Sequence, residues 1–169
     1  MSCVIAGAAG QKIGTAATAL ARGALLSGLW ATQRDDYPVT VRSGHSLSEV
    51  ILSSQEIRYL GVPRPDIVVA LFEEGLKKVT PRLNQLTEQE RLYINAKLLP
   101  VKTRAQVIPL NLRGKGRKKH WSLMAMAAVL RREGVYPLEA FRQAVALNQA
   151  YAEENLAAVE AADGVITDN

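Results

Sequence analysis

Polar and apolar positions divide the chain into short continuous apolar runs and longer stretches whose apolar residues recur three and four apart. The first run, Cys3-Val4-Ile5-Ala6, suits a strand covered on both faces. Gly7-Ala8-Ala9-Gly10-Gln11 then predicts a turn, and Ile13 to Ser27 a helix that stops at Gly28. Leu29 to Gln33 reads as a second strand. A polar connection from Arg34 to His45 follows, of a length that is usually functional or interfacial. Ser46 to Ser53 alternates into Val50-Ile51-Leu52 as a third strand, and Ile67 to Phe72 is a continuous run for a central one. Glu73 to Val79 predicts a short helix, acidic at its start and basic at Lys77 and Lys78, with Pro81 ending it or restarting a turn. Two further strands, Arg91 to Ala96 and Gln106 to Leu112, precede a helical last third: Trp121 to Arg132, Leu138 to Leu147, and Gln149 to Ala162. Gly134 and Pro137 separate the first two of these, and the tail from Gly164 to Asn169 should fray. Strands alternating with helices predict an α/β fold of three layers, α/β/α, around a mostly parallel sheet of five to six strands.

Composition narrows this picture. At 169 residues the chain predicts a single domain, residues 1–169, with a sizeable core. No apolar run approaches the roughly 18 residues of a membrane span, since the longest candidate, Ala16 to Leu26, carries Arg22. The N-terminus shows no basic region followed by an apolar one, so a cytoplasmic protein is expected. Cys3 is the single cysteine; it has no disulfide partner within the chain, and its apolar neighbours predict a buried thiol. His45 and His120 stand without acidic or cysteine residues at ligand spacing, which predicts neither zinc nor an iron–sulfur cluster held by this chain. The net charge of +5 is concentrated between Arg113 and His120 and makes a local basic patch. With no aromatic residues interleaved there, the patch does not predict nucleic-acid binding.

Candidate chemistry begins at the first turn. Glycines at its bends let the chain reverse off the strand, and the helix that follows offers unpaired N–H groups and a positive dipole end to a phosphate or carboxylate, with Gly10 and Gln11 as the contacts. Two familiar fingerprints fit poorly. Ala9 replaces the middle glycine of G-x-G-x-x-G, and Asp35 and Asp36 fall late for a ribose contact; Gly10-Gln11-Lys12 lacks the spacing and hydroxyl of a Walker loop. No Ser–His–Asp order, nucleophile elbow or paired-carboxylate motif is visible, so no catalytic residue is assigned. Arg113, Lys115, Arg117, Lys118 and Lys119 precede the Trp121 helix, either as a polyanion contact or as a solvated loop. Tyr37, Arg42 and Gly44 are candidate contacts of an ordered connection, Arg42 being suited to carboxylate or phosphate. The alanines of the first helix (Ala16, Ala17, Ala24) and of the Trp121 helix (Ala125, Ala127, Ala128) predict close-packing faces.

The order of these residues resembles the gamma subunit, or gamma-type domain, of the 2-oxoacid:acceptor oxidoreductases, which include the pyruvate:ferredoxin and indolepyruvate enzymes. That family's opening pattern, G-x-G-G-Q-G-[VI]-x-[TS]-A, is met by Gly10, Gln11, Ile13, Thr15 and Ala16, with Ala9 and Lys12 in place of glycines. Its next landmark, T-x-x-P-x-Y-G-P-E-x-R-G-G-x-x-x-S-x-V-R-I-S, is met by Thr32, Tyr37, Arg42, Gly44, Ser48, Val50 and Ser53. Asp35, Pro38, Val39, Thr40 and Ser43 depart from it. Pro65-Asp66-Ile67-Val68 and the run from Gly134-Val135 to Glu154-Asn155-Leu156 extend the likeness. Arg117-Lys118-Lys119-His120 stands where the family has a more neutral turn.

The resemblance implies a Rossmann-like, non-catalytic subunit of a complex that decarboxylates a 2-oxoacid oxidatively. Thiamine diphosphate and iron–sulfur clusters are then expected on other subunits, CoA is implied for the complex, and this chain is expected to dock through the Arg34–His45 connection. A homo-oligomer is a further possible state. Two other readings stay open: a nucleotide- or CoA-binding module using Gly10, Gln11 and the basic segment, and an adaptor for an acidic protein.

Overall fold

The computed structural model describes residues 1–37 and 44–167. β1 (Ser2–Ala8) leads through the glycine-bearing turn into α1 (Ile13–Leu26), and β2 (Trp30–Asp36) and β3 (His45–Ser53) follow. β4 (Ile67–Ala70), α2 (Glu73–Leu83), β5 (Arg91–Asn95) and β6 (Gln106–Leu110) complete the sheet. A 3₁₀ turn at Lys118–His120 opens α3 (Trp121–Glu133); α4 (Leu138–Ala146) and α5 (Ala152–Glu160) follow, with another 3₁₀ turn at Gln149–Tyr151 between them.

The six strands lie in the order β2-β3-β1-β4-β5-β6. β1, β4, β5 and β6 pair in parallel, whereas β3 runs antiparallel to both β1 and β2. The eight residues between β2 and β3 are too few for a parallel crossover, so the return strand is antiparallel. Alternation within strands distributes two cores. Cys3, Ile5, Val50, Val69 and Tyr93 face α1, α3, α4 and α5 on one side; Val4, Ala6, Leu47, Val68 and Leu92 face α2 on the other. Among the described residues the three layers are therefore unequal, four α-helices against one. Trp121 to Leu130 of α3 are all buried, as a helix enclosed by other elements on every side requires. Ala16, Ala17 and Ala24 of α1 and Ala125, Ala127 and Ala128 of α3 are buried too, as close packing predicts.

Three local expectations are corrected. β2 extends through Asp36, because Arg34 stands opposite buried Glu49 in the register and pairs with it at 3.1 Å, and Asp35 accepts a hydrogen bond from Ser48 Oγ at 2.6 Å. The polar connection is accordingly 37–44, and not Arg34 to His45. Pro81 does not end α2: Val79 and Leu83 on either side of it are buried, Arg82 reaches Glu49 at 2.5 Å, and the proline ring faces solvent. The tail does not fray directly after Gly164. Val165 is buried, its carbonyl accepts from the Asn111 N–H, and Thr167 accepts from the Asn111 side chain; residues 168–169 lie outside the described residues.

Candidate functional site

β1 and β4 are neighbours, yet their chains leave for opposite faces of the sheet, β1 into α1 and β4 into α2. Such a divergence opens a crevice beyond the strands' carboxyl ends, where open α/β sheets bind ligands. One wall is the β1–α1 turn. Gly10 sits at φ 78° with nothing within 4 Å of the position a Cβ would take, so its backbone faces open space. Gly44, at φ 116°, lies beside it: the Ala9 N–H donates to the Gly44 carbonyl at 2.9 Å. Folding thus brings together two segments that the sequence presents separately, the Gly10-Gln11 turn and the end of the 37–44 connection.

Lys12 precedes α1 in the left-handed region at φ 55°, which costs a non-glycine residue about 1 kcal/mol. Four contacts from the C-terminal third hold it there. Ser122 Oγ donates to the carbonyls of Gln11 and Lys12, at 3.0 and 3.1 Å. Lys12 Nζ donates to Asn155 Oδ1 at 2.6 Å and lies over the Tyr151 ring, 5.1 Å from its centroid. Glu154 Oε2 is 3.7 Å from the same ammonium.

Glu154 gathers more charge. Lys119 Nζ is 2.6 Å from its Oε1, His120 Nε2 3.2 Å, and Arg117 Nη1 3.8 Å. Its carboxyl is held below the usual range, chiefly by the hydrogen bond from Lys119. Burial lowers Lys12, and burial together with the Lys12 charge lowers His120, which leaves the imidazole neutral at pH 7. Three lysine and arginine charges therefore surround one carboxylate at the positive end of α1.

Several buried polar atoms here have no hydrogen-bond partner. They are Gln11 Oε1, Trp121 Nε1 and Asn155 Nδ2, together with His120 Nε2, which is near Glu154 but poorly aligned. Asn155 is 1% and Trp121 5% exposed, so water does not satisfy these donors from outside. Trp121 also stacks on Phe72, which precedes α2, with ring centroids 5.6 Å apart.

Of the residues singled out from sequence, Gly10, Gln11, Gly44, Arg117 and Lys119 come together here. Lys115 is turned away, its ammonium donating to the Asp163 carbonyl. Arg113 and Lys118 are exposed, and Tyr37 is exposed at the end of β2. Arg42 lies outside the described residues. Sequence reasoning missed Lys12, Ser122, Tyr151, Glu154 and Asn155 as parts of one site. The available signal was Lys12 itself, a long cation at a position where the resembled pattern has glycine. Among the described residues no group of three or more His, Cys, Asp or Glu is placed to hold a metal ion, and the Cys3 thiol is buried with its pKa pushed up to about 12 by desolvation. This donor set does not fit an iron–sulfur cluster; the turn, with open backbone and convergent cations, fits a phosphate.

The pyruvate ferredoxin/flavodoxin oxidoreductase family model matches residues 2–163. The chain belongs to this family. The 2-oxoglutarate synthase subunit KorC of Methanothermobacter marburgensis is 41% identical over 73 residues, which are 43% of this chain and 39% of that protein. The Archaeoglobus fulgidus KorC is 31% identical over 80 residues, 47% of this chain and 43% of that one. The matched segment thus spans about two-fifths of these relatives' length. A keto/oxoacid ferredoxin oxidoreductase gamma subunit from Geobacter sulfurreducens superposes with TM-score 0.76 at 26% identity, over 95% of both chains. A pyruvate oxidoreductase subunit of Thermotoga maritima shares the fold at TM-score 0.76 and 19% identity, over 99% of this chain and 97% of that one. So does 32% of a Magnetococcus marinus 2-oxoglutarate:ferredoxin oxidoreductase chain, at TM-score 0.79 and 13% identity over the whole of this chain; that structure holds 2-oxoglutarate, coenzyme A and succinyl-CoA. No helix among the described residues of this family member is long and apolar enough to cross a membrane.

Proposed function

We propose that the chain is the gamma-type subunit, one domain in residues 1–169, of a cytoplasmic 2-oxoacid:acceptor oxidoreductase complex. It supplies docking surface and part of a CoA or phosphate site, while thiamine diphosphate and the iron–sulfur clusters sit on partner subunits. The observation that carries this reading is the family match over residues 2–163, on a fold that superposes along 95% of a gamma subunit. The docking surface is the 37–44 connection with its flanks. Tyr37 is exposed there, and Asp36 holds both His45, at 3.5 Å, and Lys78, at 3.0 Å, which secures the strand ends on each side. Gly10, Gln11, Arg42 and Gly44 are the ligand contacts in this reading. CoA, when bound, supplies the thiol that takes up the acyl product; the part of this chain is to hold its phosphates.

The test is affinity purification of the tagged chain from its native host. Larger subunits carrying thiamine diphosphate and iron are expected in the eluate, with 2-oxoacid oxidation in the complex and none in the isolated chain. Turnover by the isolated chain, or its recovery as a free monomer under gentle conditions, would overturn the reading. The unpartnered polar atoms at the turn favour a second reading, a self-sufficient CoA- or nucleotide-binding module. Calorimetry with CoA, NAD and ADP separates the two, since a module saturates without any partner.

A further inference from the structure

The cation cluster at the start of α1 already holds an anion, and that anion belongs to the chain. Glu154 projects from the first turn of α5, and its carboxylate is met by Lys12, Arg117 and Lys119, cations from two other segments. One carboxylate does not neutralise them. Its side chain also keeps 34% of its surface exposed, and on its own helix it borders a groove of about 470 Å³ lined by Tyr151, Glu153 and Ala157. Room therefore exists for it to swing aside. A second observation marks the cluster as incomplete in this arrangement. Asn155 spends its Oδ1 on Lys12 Nζ, yet Nδ2 of the same amide, in a residue 1% exposed, has no partner. A carboxylate offers two oxygens in one plane, whereas a phosphoryl group offers three acceptor oxygens around a tetrahedron and more negative charge.

We propose that Lys12, Lys119 and Arg117, with the Asn155 amide, form a phosphoryl socket at the N-terminus of α1, and that Glu154 is its built-in, displaceable occupant. The inference rests on the reading of the turn as a phosphate site and adds to it the cations and the competitor. Lys12 is what makes the socket particular to this chain. A glycine would take the same left-handed backbone without strain and leave no ammonium between the turn and α5. Closed, Glu154 ties α5 to the turn; open, it releases the cations to the ligand, which then bridges the turn and α5 in its place.

Calorimetry on the full chain tests this with inorganic pyrophosphate, ADP and CoA as probes. Removing the competitor by Glu154→Gln should tighten pyrophosphate binding about tenfold, the gain expected if the wild-type socket is free about a tenth of the time. Adding Lys12→Gly to that variant should reverse most of the gain. ADP and CoA tightening as pyrophosphate does would make a phosphate carried on a nucleotide the recognised group; pyrophosphate alone tightening would assign the socket to inorganic phosphate. Equal or weaker pyrophosphate binding by Glu154→Gln, where the wild type binds, overturns the competitor and leaves the phosphate site standing. No binding of any probe by either folded protein overturns both. Should Glu154→Gln fail to fold, the side-chain amide resonance of Asn155 in the wild type decides: millimolar pyrophosphate must shift it, and an unmoved resonance overturns the proposal.

Discussion

At the scale of single residues, space and backbone angle separate glycines that resemble one another in the sequence. A Cβ on Gly75, in the first turn of α2, would lie 2.3 Å from Gly7 N and 2.4 Å from Ala6 C, both backbone atoms of β1 that cannot rotate away. Gly75→Ala should therefore force α2 off the sheet and destabilise the protein by about 3 kcal/mol. Gly10→Ala meets nothing within 4 Å and carries only the strain of its positive φ, about 1 kcal/mol. Urea unfolding of both variants checks the order, and an equal effect would remove the close approach from the account. The site residues divide on similar grounds. Gly10 and Gln11 were legible because a turn after an apolar strand has few local solutions. Lys12 was not: its left-handed angle is set by Ser122, Asn155 and Tyr151, all from the last third of the chain.

Among the elements, α3 connects the site to the core. Its fully buried Ser122 donates through Oγ to both turn carbonyls, of Gln11 and Lys12. Ser122→Ala leaves both carbonyls without that donor, at a cost of about 1–3 kcal/mol. Backbone amides of the turn should then exchange with solvent faster, while those of β1 and β4 remain protected. Hydrogen exchange followed by mass spectrometry reads this, and uniform protection in the variant would show that the turn stands without α3. Element positions were largely legible, because apolar runs and three–four spacing are local properties of the chain. Errors fell where distant partners override local preference. Glu49, buried on β3, draws in Arg34 and Arg82 and accepts from the Val62 N–H at 3.2 Å, so it prolongs β2 and carries α2 through Pro81.

The whole molecule carries several carboxylates that the fold holds ionised. Glu90 is lowered from its ordinary 4.5 to about 2, first by the Thr87 N–H and hydroxyl and then by Arg64. Lys78 lowers Asp36, and Lys119 lowers Glu154. Groups depressed on folding bind protons more readily when unfolded, so their stabilisation is complete above their unfolded values and is lost as pH falls. The urea midpoint should begin to fall below about pH 6.5, where the unfolded chain protonates His120 more readily than the folded one, and decline further from about 5 toward about 2 as these carboxylates take up protons. Glu90→Gln should flatten part of that decline; an unchanged acid limb would dismiss Glu90 as a contributor.

The hydrophobic rhythm of the chain was sufficient for the strands, the helices and the three layers, and the order of motif residues such as Gly10-Gln11 for the family resemblance, since each rests on residues close together in sequence. Pairing direction, the reach of β2 and the convergence of Lys12, Arg117, Lys119, Glu154 and Asn155 were settled by packing. Charges on segments far apart along the chain attract one another only after the sheet and α3 have brought them within a few ångströms.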